Sequence, residues 1–394
     1  MCGQNSGSHA WWDLDADCSS RPEAEFETFG RKPQPDESDS AIGVFFVNGD
    51  CITFVGDLYA PEAFRSRLPL TPPWVGNLES PVTRARIGTT GKINLKAEAL
   101  YFEESIGSLP AAVSLANNHI LDYGDTGLLD TLQVLGSAGV QAFGFPTARG
   151  IPATHAHISC AGLDVVLLGY VCPSTHPVRG AEYSPMLIED ELIKSDIRLE
   201  KRKGADRVVL CLHWGQDNAP LPTPRDRLRA HEYAEAGADL IIGHHSHRIQ
   251  AWELIGNCPV FYGLGNFFFP DPIRAPTEFD KDGSPLHWFE IRWHSWNRTS
   301  LLIEWSPASR RWRARTTVFR GSLLGFGGAD PRRWKLRAPH GDAYARMYEA
   351  SVRASSLKVA CRSFLARPRI PPWAGLAFAA KTILGRNARS EGKH

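Results

Sequence analysis

The sequence predicts an α/β fold, and three patterns predict it. Short apolar runs that stop at polar or small residues recur along the chain: "CITFVGD", "AAVSLANN", "DVVLLGYV", "RVVLCLHWG", "DLIIGHHSH" and "PVFYGLGN". Runs of this length with such endings read as buried strands. Between them, "DTGLLDTLQVLGSAG", "IEDELIKSDIRLEKRKG" and "PRDRLRAHEYAEAGA" carry apolar residues at helical spacing. Strands that alternate with helices make an α/β domain. Beyond Phe267, "WFEIRWHSWNRTSLLIEWS" and "RWRARTTVFRG" read as a meander of antiparallel strands that pairs onto the same core.

In chain order, residues 1–40 are polar, acid-rich and dotted with Gly, Ser and Pro, and are expected to be disordered. Asn48-Gly49 joins two apolar runs and signals a hairpin turn. The body is expected over residues 41–324. A Gly-rich break follows Leu324 and opens a basic, helical extension over 325–394. There Tyr344, Met347, Tyr348, Val352, Val359 and Phe364 share one helical stripe, which predicts an amphipathic helix docked on the body. No internal repeat is visible.

Bulk composition narrows the class. Hydrophobic content of 43% and charged content of 22% are those of a globular protein. The net charge of +1 favours no anionic partner, and no specific nucleic-acid binding is expected. The charge is unevenly spread: from Ser309 onward roughly nineteen Lys/Arg face four Asp/Glu, which suits a solvated helix face or contact with an anionic lipid or polymer. None of the eight cysteines forms a C-x-x-C pair, and several lie inside apolar runs, as reduced core residues of an intracellular protein do. The N-terminus has neither a basic nor an apolar region of the signal-peptide kind, and no run reaches the ~18 apolar residues of a spanning helix. A cytoplasmic protein, or one peripheral to a membrane, is the expectation.

The strand ends carry the chemistry. Asp57 closes the first run; Asn77 and Glu79 lie in "WVGNLES"; Asn117, Asn118 and His119 close "SLANNH", with Asp122 one turn on; His213 closes "VVLCLH"; His244, His245 and His247 follow "LIIG"; and Asn266 ends "GLGN". Only 14 of the 394 residues are histidine, so three within four positions is not scatter. In α/β sheets ligands bind outside the carboxyl ends of strands. Carboxylates, amides and imidazoles delivered to one crevice suit a transition metal such as Zn, Fe, Ni or Mn. Two close cations would need a shared carboxylate, because divalent charges ~4 Å apart repel strongly. Taken singly, Asp57 reads as a turn residue or cap, Glu79 as surface charge, Asn117-Asn118 as a turn and His213 as a core histidine. The metal reading rests on their joint occurrence.

"VGDLYA", "GNLESP", "LANNHILDYGDTGLLDTLQVLGSAGV", "LHWGQD", "AGADLIIGHHSHRIQ" and "VFYGLGNFFF" occur in that order. They resemble the CapA family, named for poly-γ-glutamate capsule biosynthesis, itself similar to the calcineurin-like metallophosphoesterases. The resemblance covers roughly residues 42–270. It implies a four-layer α/β/β/α sandwich of two mixed sheets and two divalent metal ions, of Mn, Fe or Zn. It implies Asp57 as a ligand of the first metal, Glu79 as the bridge where the wider superfamily has aspartate, and the Asn118 amide on the second metal. His119 would stand near the leaving group as general acid or charge stabiliser. His213 would be the isolated histidine ligand, and His245 and His247 the His-x-His pair split between the metals. Imidazoles at i and i+2 share a direction on extended backbone, so a strand end is expected under that pair. His244 would orient a ligand. Tyr59 occupies a position where the superfamily often has histidine. Asp217 replaces the family's usual glutamate and, with Asn77, Asn117, Asp122 and Asn266, is expected around the ligands or the substrate mouth.

The leading functional expectation is a dinuclear metal-dependent hydrolase of phosphoesterase type, acting on an anionic substrate: a phosphoester or a glutamyl polymer. Alternatives are an enzyme of γ-glutamyl amide bonds, and a non-catalytic accessory subunit of a membrane-associated polymer synthesis complex.

Overall fold

The computed structural model describes residues 50–68, 70–145, 155–180, 182–337 and 341–365. The acidic segment 1–40 and the Asn48-Gly49 turn lie outside the described residues. In chain order the strands are β1 (Ile52–Leu58), β2 (Arg65–Ser66), β3 (Trp74–Leu78), β4 (Ala112–Ser114), β5 (Gln141–Phe143), β6 (Ala156–Cys160), β7 (Leu163–Val171), β8 (Arg207–His213) and β9 (Leu240–His244). They continue with β10 (Trp252–Ile255), β11 (Cys258–Phe261), β12 (Asn266–Phe268), β13 (Ile273–Phe279), β14 (Pro285–Ile291), β15 (Thr299–Trp305), β16 (Trp312–Arg320) and β17 (Leu323–Phe326). The helices are α1 (Phe102–Ile106), α2 (Gly124–Ser137), α3 (Asp190–Lys203), α4 (Pro224–Ala236) and α5 (Asp342–Leu365).

Two mixed sheets stack face to face. The first runs β2-β17-β16-β15-β1-β3-β4-β5, with β12 also paired to β1; the second runs β10-β11-β9-β8-β7-β6. Strands β1, β3, β4 and β5 are parallel, as are β7, β8, β9 and β11, so the carboxyl ends within each set line up. The seam between the sheets is apolar. Phe54, Val75, Leu301, Ile303, Trp305 and Trp312 of the first sheet meet Val165, Leu167, Val209, Ile242, Trp252 and Phe261 of the second. Burying one such side chain contributes about 1.5–3 kcal/mol.

Helices cover both outer faces. α2 buries Leu128, Thr131 and Leu135, spaced to share one side, on the outer face of the first sheet. α3 buries Ile193 and Ile197 and α4 buries Ala230 and Tyr233 on the outer face of the second. α3 has Asp190 and Glu191 in its first turn and Lys201, Arg202 and Lys203 in its last, which suits the helix dipole. Thr223 caps α4 by accepting from the Asp226 N–H, with Pro224 following. The result is the α/β/β/α sandwich of two mixed sheets that the resemblance implies.

The C-terminal meander differs from expectation. β15 and β16 pair antiparallel beside β1, but β14 pairs only with β13, in a separate two-stranded ribbon. The reason lies in its burial. Pro285 to Glu290 are exposed throughout, so Leu286, Trp288 and Phe289 have no sheet face to cover. Of the α5 stripe, Tyr344 is buried and donates its hydroxyl to the Pro222 carbonyl, while Met347, Tyr348 and Val352 are half-buried. Val359 and Phe364 lie outside the residues whose side chains are described. No described helix is long and apolar enough to cross a membrane.

One close approach fixes β1 beside the site. A Cβ on Gly56 would stand 1.8 Å from the Gly265 carbonyl oxygen, a backbone atom that cannot rotate away. Gly56→Ala is therefore expected to cost roughly 1–3 kcal/mol or more, read as a lower midpoint in thermal unfolding. An unchanged midpoint would mean that the chain at 265 does not cross β1 this closely.

Candidate metal centre

The carboxyl ends of β1, β3, β4, β8 and β9 meet at one end of the seam. Asp57 is the last residue but one of β1, paired with Asn266 and Asn77, and Glu79 follows β3, held by its own N–H to the Leu58 carbonyl (2.9 Å). Asn117, Asn118 and His119 follow β4; His213 ends β8; His244 ends β9, with His245 and His247 beyond it. Two groups of potential ligand atoms form, each with all atoms within 4.8 Å of one another: Glu79, His213 and His245, and Asp57, Glu79 and His247. Glu79 is common to both. Its Oε1 lies 3.7 Å from His213 Nε2 and 3.8 Å from His247 Nε2. Asn118 Oδ1 stands 2.9 Å from His213 Nε2, beside the first group.

A ring of polar contacts orients these atoms. Asn77 Nδ2 donates to Asp57 Oδ1 (2.9 Å) and lies 3.3 Å from His213 Nδ1. His244 Nδ1 is 3.0 Å from Asp57 Oδ1, and the His245 N–H donates to Asp57 Oδ2 (3.2 Å). Asn266 Oδ1 is 2.9 Å from His247 Nδ1. Asn117 donates to the Leu78 carbonyl and to Asn77 Oδ1 (3.2 Å) and accepts from the N–H groups of His119 and Ile120, so it shapes the loop and backs the amide that orients Asp57. Asp217 is exposed, and its carboxylate reaches to 3.5 Å from His245 Nε2.

The electrostatics suit a cation. Glu79 is fully buried, and neither carboxylate oxygen has a hydrogen-bond partner among the described residues. Burial, then the charges of Asp57 and Asp217, push its carboxyl well above the ordinary range. Burial, reinforced by the surrounding imidazoles, holds His213 well below the usual histidine range, and burial brings His245 down to about 4. Neutral imidazoles offer the lone pairs that metals bind. Asp57 behaves differently. Burial alone would raise its carboxyl, but the hydrogen bond and charge of His244, with His247 and Asn77, bring it below the ordinary value. An orphaned carboxyl costs about 1–3 kcal/mol, and a divalent cation between these groups would remove that cost.

At the edge of this cluster His119 Nδ1 lies 2.7 Å from Asp122 Oδ2. Asp122 is fully buried, accepts from the Leu95 N–H (2.7 Å) and pairs with Lys92, whose ammonium also donates to the Asn118 carbonyl. Lys92 was not legible in the sequence, because it sits in an aperiodic loop. His247 is packed by Trp293 and Phe269, with ring centroids 5.3 Å away in each case. Asn297, fully buried, donates to the His247 carbonyl (2.7 Å). Neither Trp293 nor Asn297 has a sequence signal beyond its clustering in "RWHSWNR". Tyr59 is buried and packs against Phe269, with centroids 5.7 Å apart.

Two expectations are corrected. His245 and His247 do not ride an extended strand end: their φ values are +87° and +52°, in the left-handed region. Gly243 still belongs to β9, and the chain turns only after His244. Each left-handed non-glycine residue costs on the order of 1–3 kcal/mol, offset by the surrounding hydrogen bonds. Asn266 does not end a strand but opens β12, paired with Asp57 across the parallel β1–β12 ladder.

Comparison with known proteins gives several likenesses. The capsule biosynthesis protein CapA of Bacillus anthracis is 30% identical over 207 residues, 49% of this chain and 49% of the relative. A probable polyglutamine synthesis accessory protein of Mycobacterium tuberculosis (strain ATCC 25618 / H37Rv) is 30% identical over 170 residues, 40% of this chain and 44% of the relative. The chain thus spans about half the length of the curated relatives it matches. Among solved structures, a putative 5′-nucleotidase from Staphylococcus aureus aligns with a TM-score of 0.38 at 15% identity, over 76% of this chain and 58% of that one. The family model described as bacterial capsule synthesis protein PGA_cap matches residues 72–271, about half of the chain and the stretch that supplies every group from Asn77 to Asn266 described above, and the chain belongs to that family.

Proposed function

We propose that this protein is a hydrolase dependent on two divalent cations, acting on a phosphoester within the assembly of a capsule-type anionic polymer. One observation carries the reading: a fully buried Glu79, without a hydrogen bond to either oxygen among the described residues, is shared by two ligand groups. The residues fit the cations. Asp57, Glu79 and His247 would hold one; Glu79, His213 and His245, with the Asn118 amide oxygen alongside, would hold the other. When bound, such cations lower the pKa of a water and offset charge that develops on the substrate oxygens.

The chain's own residues supply the rest. Asp122, fixed by Lys92 and the Leu95 N–H, holds the Nδ1 proton of His119, which leaves Nε2 to meet the departing oxygen. Burial keeps the His119 imidazole below the usual range, with Asp122 opposing that shift. Only the protonated imidazole carries an Nε2 proton, and the lowered pKa makes that form the stronger acid and the less populated one near neutral pH. The aromatic wall of Trp293 and Phe269 shields His247 from water on one side.

Metal analysis of the full chain, coupled to hydrolysis of an aryl phosphate, tests the reading. Two cations per chain are expected. Chelation should lower turnover by roughly a hundredfold or more, with recovery on adding Mn, Fe or Zn. Cleavage of γ-glutamyl peptides in place of phosphates would shift the chemistry to an amide bond. Full metal occupancy with no turnover on either would favour an accessory role, the role named in the mycobacterial relative.

A further inference from the structure

We propose that Arg248 selects substrates that carry a second anionic group beside the reacting bond. Its place rests on geometry, while its service to turnover rests on the hydrolase reading above. Arg248 directly follows His247. Its guanidinium stands 5.3 Å over the Trp296 ring, and one N–H donates to the Asn218 carbonyl (3.2 Å). A guanidinium has five N–H donors, and no carboxylate pairs with this one among the described residues. Its neighbours are different: Arg298 is paired with Asp271, and Arg227 with Glu253.

The mounting is tied to the loops that carry the site. Asn297 donates both to the His247 carbonyl (2.7 Å) and to Asn218 Oδ1 (2.8 Å), which ties together the loops that carry Arg248 and its acceptor. The Asn218 N–H donates to the Ser246 carbonyl (2.9 Å), between the two histidines. Asn218 follows Asp217, whose carboxylate lies 3.5 Å from His245 Nε2. Arg248 and its acceptor Asn218 are thus direct chain neighbours of His247, a candidate ligand, and of Asp217, which approaches another. A half-buried guanidinium stacked on an indole, with most of its fork unused, is best satisfied by two oxygens of one oxyanion. Carboxylate and phosphate share that chemistry.

The test compares three aryl phosphates on the full chain: phenyl phosphate, carboxyphenyl phosphate and a phenylene bisphosphate. The wild type is expected to favour one or both doubly anionic esters by roughly tenfold to a hundredfold in kcat/KM, chiefly through KM. The two arms distinguish carboxylate from phosphate. In Arg248→Met that preference should collapse toward one. Arg248→Lys, which keeps the charge and stem but not the fork, should retain only part of it. The same esters are titrated by calorimetry into metal-depleted protein. Arg248-dependent preference there, without any hydrolysis in the loaded protein, would leave this inference standing and remove the hydrolase reading. A wild type without preference, or an unchanged preference in Arg248→Met or Arg248→Lys, overturns it.

Discussion

Glu79→Gln is expected to strip both cations from the protein at once. Glu79 is the only residue common to both ligand groups found among the described residues, so loss of its charge opens both. Hydrolysis should fall by at least roughly three orders of magnitude, the scale on which metal-assisted charge stabilisation is felt. The change in stability should depend on metal. Without cations, burial favours the neutral form of the Glu79 carboxyl, to which a glutamine amide is close to isosteric. The unfolding midpoints of the two metal-free proteins should therefore nearly coincide. With cations, the wild type alone should rise, by about 2.7 kcal/mol per bound cation for free metal at a hundred times its dissociation constant. The sign with pH follows. A raised carboxyl must lose its proton to bind metal, so affinity in the wild type should weaken as pH falls. Metal analysis and thermal melts with and without chelator read all three. Equal metal content in wild type and variant would end the bridging assignment.

His119→Ala is expected to separate turnover from metal binding. His119 contacts Asp122 and Lys92, and it belongs to neither ligand group. Removing a general acid lowers rates by roughly 10²–10⁴, while metal content should stay at the wild-type level. His245→Ala should lower both. Aryl phosphates with good leaving groups, which need no proton, should be least affected by His119→Ala; that dependence would not follow from a merely structural role. A loss of metal in His119→Ala would move His119 into the ligand set.

Much of this site is legible in the sequence because strands end abruptly. Asp57, Glu79, Asn118, His213 and His244 each stop an apolar run, and parallel strands place such stops at one end of a sheet. What the pattern cannot carry is chain that leaves the strand period. Lys92 lies in a loop with no apolar repeat, yet its ammonium reaches Asp122 thirty residues on. The left-handed turns at His245 and His247 lack the glycines that normally announce them. "PLHWFEI" looks like core strand by composition, and only the full architecture shows it exposed and paired with β13 alone, outside both main sheets.

The two sheets give different donors to the centre. Asp57, Glu79 and Asn118 come from the first, while His213, His245 and His247 come from loops and ends of the second. Cations held there would act as rivets through the sandwich, adding to the few polar contacts that join its largely greasy seam at this end. Loading with metal should then slow amide exchange in β1 and β8 in concert, and a cavity cut at Trp305, paired with Ile52 at the far end of β1 from Asp57, should register as weaker metal retention.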